Sequence, residues 1–174
     1  MQRLVTGFIF LTVLCAGTGP VAADSEMPEI PYKTEPRPGL LIGGQPDREA
    51  LAQARDAGAE TVINLRGTDE FDDWNQTEVV TGLGMLNIHI PVASADDLNQ
   101  DSVELFDRAL EHVGDEPAIV HCASGNRVGA MYALRAAWLQ GEDTETALEI
   151  GHEHGLEGLA DTVEELLDSG SDSD

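Results

Sequence analysis

The chain has 174 residues, of which 33 are Asp or Glu and nine are Lys or Arg, so its formal net charge is −24. This length fits one domain and suffices for a sizeable hydrophobic core. The negative charge argues against a nucleic-acid or anionic-membrane surface, because both would repel the protein. The acidic residues occur in every segment, which indicates a solvated surface adapted to high salt.

Residues 1–23 have the pattern of a secretory signal peptide. An apolar run over 4–14 is too short to span a membrane comfortably, and small residues end at Ala23, where we expect cleavage. The mature protein is then periplasmic or secreted, with no membrane insertion. Cleavage removes Cys15 and leaves Cys122 without a disulfide partner. A single free thiol in an oxidising compartment favours a functional cysteine.

The remaining chain divides into three parts by composition. Residues 24–38 are a Pro-rich lead-in that we expect to be extended and loosely attached, residues 39–168 form the domain, and residues 169–174 are a disordered acidic tail. The predicted strands are 40–42, 61–65, 85–92 and 118–120, and the predicted helices are 48–57, 76–83, 101–113, 128–139, 144–150 and 156–167. This alternation predicts an α/β fold with a mainly parallel sheet flanked by helices.

Ligand sites in such sheets lie beyond the carboxyl ends of the strands. Three sequence features fall at such ends: the loop after Cys122, the side chain of Arg66, and the loop that contains Asp96 and Asp97. We therefore expect these features to converge on one site. For the two aspartates, the alternative is an ordinary solvated acidic loop.

The candidate catalytic and anion-binding residues lie in the segment 119–129, Ile-Val-His-Cys-Ala-Ser-Gly-Asn-Arg-Val-Gly. It places Cys122 at the end of a strand, in a tight loop that begins a helix. Amide N–H groups at a helix start lack carbonyl partners and carry partial positive charge, so the loop can bind an oxyanion and stabilise a thiolate. Gly125 permits an unusual backbone angle, and Arg127 adds a permanently charged, two-pronged donor.

A lone cysteine after an apolar strand is most often a small buried hydrophobic residue. A structural cysteine, however, needs neither the Ser124-Gly125 pair nor an arginine five positions further on. We therefore interpret Cys122 as a nucleophile beside an oxyanion cradle, the arrangement used in covalent catalysis on anionic substrates.

His121-Cys122 followed by Arg127 resembles the phosphate loop of cysteine-dependent protein tyrosine and dual-specificity phosphatases. The resemblance extends to three further segments: Gly-Gly-Gln-Pro at 43–46, Val-Ile-Asn-Leu-Arg at 62–66 and His-Ile-Pro-Val at 89–92. Together these motifs, over roughly residues 38–160, resemble the phosphatase-like domain of bacterial beta-lactamase hydrolase-like proteins. The resemblance implies a cysteine-phosphatase-like fold of the dual-specificity type.

The resemblance also implies the roles of the site residues. Cys122 would attack phosphorus to form a phosphocysteine, and Asp96 or Asp97 would act as general acid and then as general base. His121 would order the loop from behind. From the residues themselves, we expect Arg66 to support the site as an ion pair with Glu70 rather than to contact the substrate. The equatorial phosphate oxygens would be bound by the Arg127 guanidinium and by the amides of Ala123, Ser124, Gly125, Asn126 and Arg127. The implied substrate is a phosphorylated small molecule or a phosphoprotein, and no metal or cofactor is predicted.

Two departures from the usual phosphatase pattern keep alternatives open. Four residues separate Cys122 from Arg127, where phosphatases usually have five, and Val128 replaces the usual Ser or Thr. The shorter loop is also the size found in rhodanese-like sulfurtransferases, whose cysteine forms a persulfide. Val128 lacks the hydroxyl that assists thiolate departure, which suits a non-catalytic oxyanion-binding module. The segment Asn64-Leu65-Arg66 favours the phosphatase over the sulfurtransferase.

Overall fold

The structure is a computed structural model, and it describes residues 26–70 and 73–171. The predicted signal peptide and its cleavage site lie outside these residues, as does the end of the predicted acidic tail. Within the described ranges, no helix has both the length and the apolarity that crossing a bilayer requires.

Among the described residues, five strands form one sheet in the order β1-β2-β5-β3-β4. The pairing of β1 with β2 is antiparallel, and the other three neighbouring pairs are parallel. The strands are β1 Thr34–Arg37, β2 Leu40–Gly43, β3 Thr61–Asn64, β4 Leu86–His89 and β5 Ala118–His121. The prediction of an α/β fold with a mainly parallel sheet is confirmed.

In the part of the chain that the structure describes, six helices flank this sheet, and most of them begin at a residue whose side chain caps the first turn. Asp47, Asn75, Asn99 and Asp143 each accept a hydrogen bond from a backbone N–H of the helix that follows. The helices are α1 Arg48–Asp56, α2 Gln76–Gly82, α3 Gln100–Val113, α4 Asn126–Gln140, α5 Thr144–Glu153 and α6 Ala160–Ser171. The N-cap of α4 is Gly125, which has no side chain, so the first amides of this helix face the loop after β5.

The central strands are buried on both faces, because successive side chains point to opposite sides of the sheet. Leu41, Val62 and Ile119 pack with the apolar residues of α1 and α2. The alternate positions of the same strands pack against Phe106 of α3 and Met131 of α4. This double burial fixes the strand register, and with it the positions of the loops at the carboxyl edge.

Two predicted boundaries are wrong. The Pro-rich lead-in is not loosely attached, since it contributes β1 to the sheet and buries the side chains of Met27 and Ile30. Its proline-rich composition is compatible with an edge strand, where the missing N–H of a proline can face solvent and leave the hydrogen-bond ladder intact. At the other end, α6 continues to Ser171, so residues 169–171 are helical rather than part of a disordered tail.

Candidate active site

The loop after β5 holds the sulfur of Cys122 at the start of α4. The backbone N–H of Gly125 donates to Sγ at 3.1 Å, and Cys122 is only 1% exposed. Gly125 has a φ of +86°, a left-handed conformation that turns its amide back toward the sulfur. An amide directed at the sulfur stabilises the thiolate, which is the nucleophilic form.

The turn after β2 supports this loop from the neighbouring strand. Gly44 forms an isolated antiparallel bridge with Ser124, and the Cys122 N–H donates to the carbonyl oxygen of Gly43 at 3.2 Å. A Cβ atom on Gly44 would lie 2.7 Å from the carbonyl oxygen of Ala123. The Gly-Gly turn is therefore a place of close backbone approach, and a larger residue would displace the loop.

Arg127, in the first turn of α4, is held by a carboxylate and a carbonyl. Its Nη1 and Nη2 donate to Oε1 and Oε2 of Glu70 at 2.5 and 2.7 Å, and Nη1 also donates to the carbonyl oxygen of Val92 at 2.6 Å. The hydrogen bond with Glu70 chiefly raises the pKa of Arg127 against the effect of burial, and the Cys122 sulfur adds to the rise. The guanidinium is thus held in one place, where it interacts electrostatically with the Cys122 sulfur.

Glu70 is the carboxylate that orients this arginine, a role that sequence reasoning missed. The paired hydrogen bonds from Arg127 are the main reason that the pKa of Glu70 falls to about 2, and the Gly67 N–H donates to Oε1 at 2.8 Å. The predicted pairing of Arg66 with Glu70 is present but long, with Nε and Oε2 3.8 Å apart. Glu70 therefore remains ionised and holds Arg127 in one orientation.

Comparison with known proteins identifies the family of this chain. A family model described as DSP-PTPase phosphatase fused to NAD+ kinase matches residues 20–164, most of the chain. The chain belongs to this family. This match confirms the predicted resemblance. It also confirms the predicted enzyme class, because protein tyrosine and dual-specificity phosphatases are hydrolases.

Similar proteins are found among curated sequences and among solved structures. Two beta-lactamase hydrolase-like proteins from strains of Xylella fastidiosa are 28% identical to the chain over 123 residues, which is 68% of this chain and 28% of theirs. The chain thus spans well under half the length of these relatives. A DUF442 protein from Shewanella putrefaciens superposes with a TM-score of 0.58 at 25% identity, covering 82% of this chain and 90% of the other.

More distant structures share the fold. A protein from Neisseria meningitidis has a TM-score of 0.58 at 21% identity, covering 75% of this chain and 94% of its own. TpbA from P. aeruginosa, solved as a cysteine-to-serine variant in complex with pTyr, has a TM-score of 0.57 at 17% identity, covering 87% of this chain and 99% of its own. These neighbours confirm the predicted cysteine-phosphatase fold.

His121 lies behind the phosphatase loop and is fully buried. Its Nδ1 is 3.3 Å from the carbonyl oxygen of Cys122, and its Nε2 is 2.9 Å from Nε2 of Gln76 in α2. The ring thus bridges the backbone of the cysteine and a second element of the fold, a placement that fits the predicted ordering role.

The two candidate aspartates lie together in a short 3₁₀ turn, Ala95–Asp97, but have different surroundings. Oδ2 of Asp97 accepts the N–H groups of Ala93 and Ser94, each at 2.9 Å. Both bonds lower the pKa of Asp97, and the bond from Ser94 has the larger effect. Asp96 is exposed, and its carbonyl oxygen, not its carboxylate, accepts the bond from Asn99.

Ala123, Ser124 and Asn126 are the remaining predicted phosphate-binding residues. Ala123 is exposed and Ser124 is half-buried. The side-chain oxygen of Asn126 is turned toward the connection between α5 and α6, where it accepts the N–H groups of Glu157 and Leu159 at 2.8 and 3.3 Å. The side chain of Asn126 thereby anchors the start of α4.

A cavity of about 670 Å³ lies at the carboxyl ends of β3 and β4, where Asn64 and His89 line it. Its wall includes Glu70, the partner of Arg127, and Gln76, the partner of His121. The β3–β5 register pairs Asn64 directly with His121. The cavity therefore begins about one strand spacing, roughly 5 Å, from the residue that precedes the cysteine.

Proposed function

We propose that this phosphatase domain hydrolyses phosphomonoesters through a phosphocysteine on Cys122. The observation that carries the proposal is the Gly125 N–H, which donates to Sγ at 3.1 Å in a loop that ends at the anchored Arg127. The loop amides and the guanidinium are preorganised donors, and such groups stabilise the charge that develops on equatorial phosphoryl oxygens.

The reaction has two steps. The thiolate of Cys122 attacks phosphorus, an S–P bond forms, and the P–O bond to the leaving group breaks as Asp96 donates its proton to the departing oxygen. Water then attacks phosphorus, Asp96 accepts a proton from it, and the S–P bond breaks to release phosphate and regenerate the thiolate.

The hydrogen bonds around Asp97 support Asp96 as the acid. Oδ2 of Asp97 already accepts two backbone N–H groups, which favour its ionised form and make it a poor proton donor. Asp96→Asn should therefore reduce kcat at least about tenfold. Asp97→Ala should mainly lower the free energy of unfolding, because it removes the oxygen that accepts the N–H groups of Ala93 and Ser94. Equal small losses of kcat in both variants would remove both aspartates from the mechanism.

The substrate class follows from the same site: a phosphorylated small molecule or a phosphoprotein. The signal-peptide pattern of residues 1–23 supports a periplasmic or secreted location, and therefore a substrate outside the cytoplasm. Cell fractionation of the tagged full chain tests this location, and retention in the cytoplasm at full length would contradict it.

The decisive experiment compares the protein with its Cys122→Ser variant in two assays. We expect release of phosphate from an aryl phosphate by the protein and none by the variant. A second assay supplies thiosulfate and cyanide; cysteine-dependent formation of thiocyanate would instead select the sulfurtransferase. Inactivity in both assays, with the protein folded by circular dichroism, would indicate a non-catalytic oxyanion-binding module.

A further inference from the structure

A continuous chain of polar side chains connects Arg66 to His121. Nη1 of Arg66 donates to Oε1 of Gln45 at 2.5 Å, and Nε2 of Gln45 donates to Oε1 of Gln76 at 2.8 Å. Nε2 of Gln76 then lies 2.9 Å from Nε2 of His121. The four residues come from four different segments of the chain, namely the turn after β2, the end of β3, the start of α2 and the end of β5.

The donor and acceptor properties of the side chains fix the direction of these hydrogen bonds. A guanidinium can only donate, so the carboxamide of Gln45 must present its oxygen to Arg66 and its NH₂ group to Gln76. Gln76 must then present its oxygen to Gln45 and its own NH₂ group to His121. The second N–H of that group is used as well, by Oδ1 of Asn87 at 3.2 Å. Nε2 of His121 therefore faces a donor and has to accept.

We propose that Gln45 and Gln76 are positioning residues that hold the His121 proton on Nδ1. From there it points at the carbonyl oxygen of Cys122, 3.3 Å away. The ring is fully buried, and a buried N–H group is expected to be hydrogen-bonded. Arg66 thus acts on the backbone of the nucleophile at a distance, through two carboxamides.

The sharpest test changes a residue that does not touch the histidine. In Gln45→Glu the carboxylate has no N–H to offer, so the carboxamide of Gln76 should rotate and present its oxygen to His121. The proton of His121 should then move to Nε2. In Gln76→Glu the same shift is expected from direct contact, which provides a second variant if the first does not fold.

The measurement is the ¹⁵N NMR spectrum of the histidine side chains in the full chain, with the His121 signals assigned by their loss in His121→Asn. We expect a protonated Nδ1 and an unprotonated Nε2 in the protein, and a protonated Nε2 in Gln45→Glu. Gln100→Glu is the matched control, because Gln100 is the exposed first residue of α3, as Gln76 is the first of α2. It should leave the His121 signals unchanged.

A protonated Nε2 in the unmodified protein, or an unchanged tautomer in both glutamate variants, would overturn the proposal. The kinetic consequence rests on the proposed function: kcat/KM for an aryl phosphate should fall about tenfold in Gln45→Glu, as for the loss of one buried hydrogen bond, and not in Gln100→Glu. If the protein releases no phosphate, the proposed function fails, whereas the NMR result still decides the role of the two glutamines.

Discussion

Replacing Glu70 with glutamine removes the carboxylate that orients Arg127. The glutamine can still accept one hydrogen bond through its oxygen, but its NH₂ group faces the other guanidinium N–H. One of the two charge-assisted bonds, at 2.5 and 2.7 Å, is therefore lost, and Arg127 retains the Val92 carbonyl as its other fixed partner. Bonds to charged groups contribute about 1.5–3 kcal/mol each, so we expect kcat/KM to fall roughly 10- to 150-fold.

The same substitution should change the pH dependence of stability. The pKa of Glu70 falls from its ordinary value of 4.5 to about 2. A pKa difference of this size corresponds to a contribution of at most about 3.4 kcal/mol from the ionised carboxylate to the free energy of unfolding. Because the Glu70 side chain is 31% exposed, solvent screening reduces the contribution, and we expect about 1–2 kcal/mol.

The sign of this effect follows from the lowered pKa. Above pH 4.5 the carboxylate is ionised in both the folded and the unfolded chain, and its stabilisation is fully present. As the pH falls from 4.5 toward 2, the unfolded chain takes up a proton first and the stabilisation is lost. The difference in free energy of unfolding between the protein and Glu70→Gln should therefore be largest at neutral pH and should narrow at pH ~3.

Urea unfolding at the two pH values and steady-state kinetics on an aryl phosphate measure both effects. Glu104→Gln is the control, since Glu104 forms an exposed ion pair with Arg108 at 3.2 Å on α3. That variant should change the free energy of unfolding by no more than about 0.5 kcal/mol and leave kcat/KM unchanged. If Glu70→Gln behaves like the control in kcat/KM, the carboxylate does not position Arg127 for catalysis.

Two further predictions concern α4. Val128 is fully buried and has no hydroxyl for the departing thiolate, so the protein should show a burst of product followed by a slow steady state. Val128→Thr should raise the steady-state rate about tenfold. The absence of any burst would contradict slow breakdown of the phosphocysteine. Gly129 packs so closely on the backbone of Leu156 that a Cβ atom would overlap it. Gly129→Ala should therefore lower the free energy of unfolding by about 3 kcal/mol in urea titrations. Gly82→Ala, with no atom within 4 Å of the new Cβ, should lower it little or raise it; equal effects would refute this view of the helix contact.

Much of the fold could be predicted because it depends on local patterns. The alternation of strands with helices and the tight loop that contains Gly125 are both visible within short windows of sequence. The edge strand β1 was missed because prolines flank and interrupt it, and nothing local indicates that Met27 and Ile30 become buried against the sheet.

The sequence alone determined the cradle: Cys122, Gly125 and Arg127 lie within one tight loop, and only the chemistry of neighbouring residues is needed to arrange them. The tertiary structure decided what holds the cradle in place. Glu70 is 57 residues from Arg127 along the chain, and Gln76 is 45 residues from His121. These partners meet only because the order and register of the parallel strands bring their carboxyl ends to one edge, and no short stretch of sequence specifies that order.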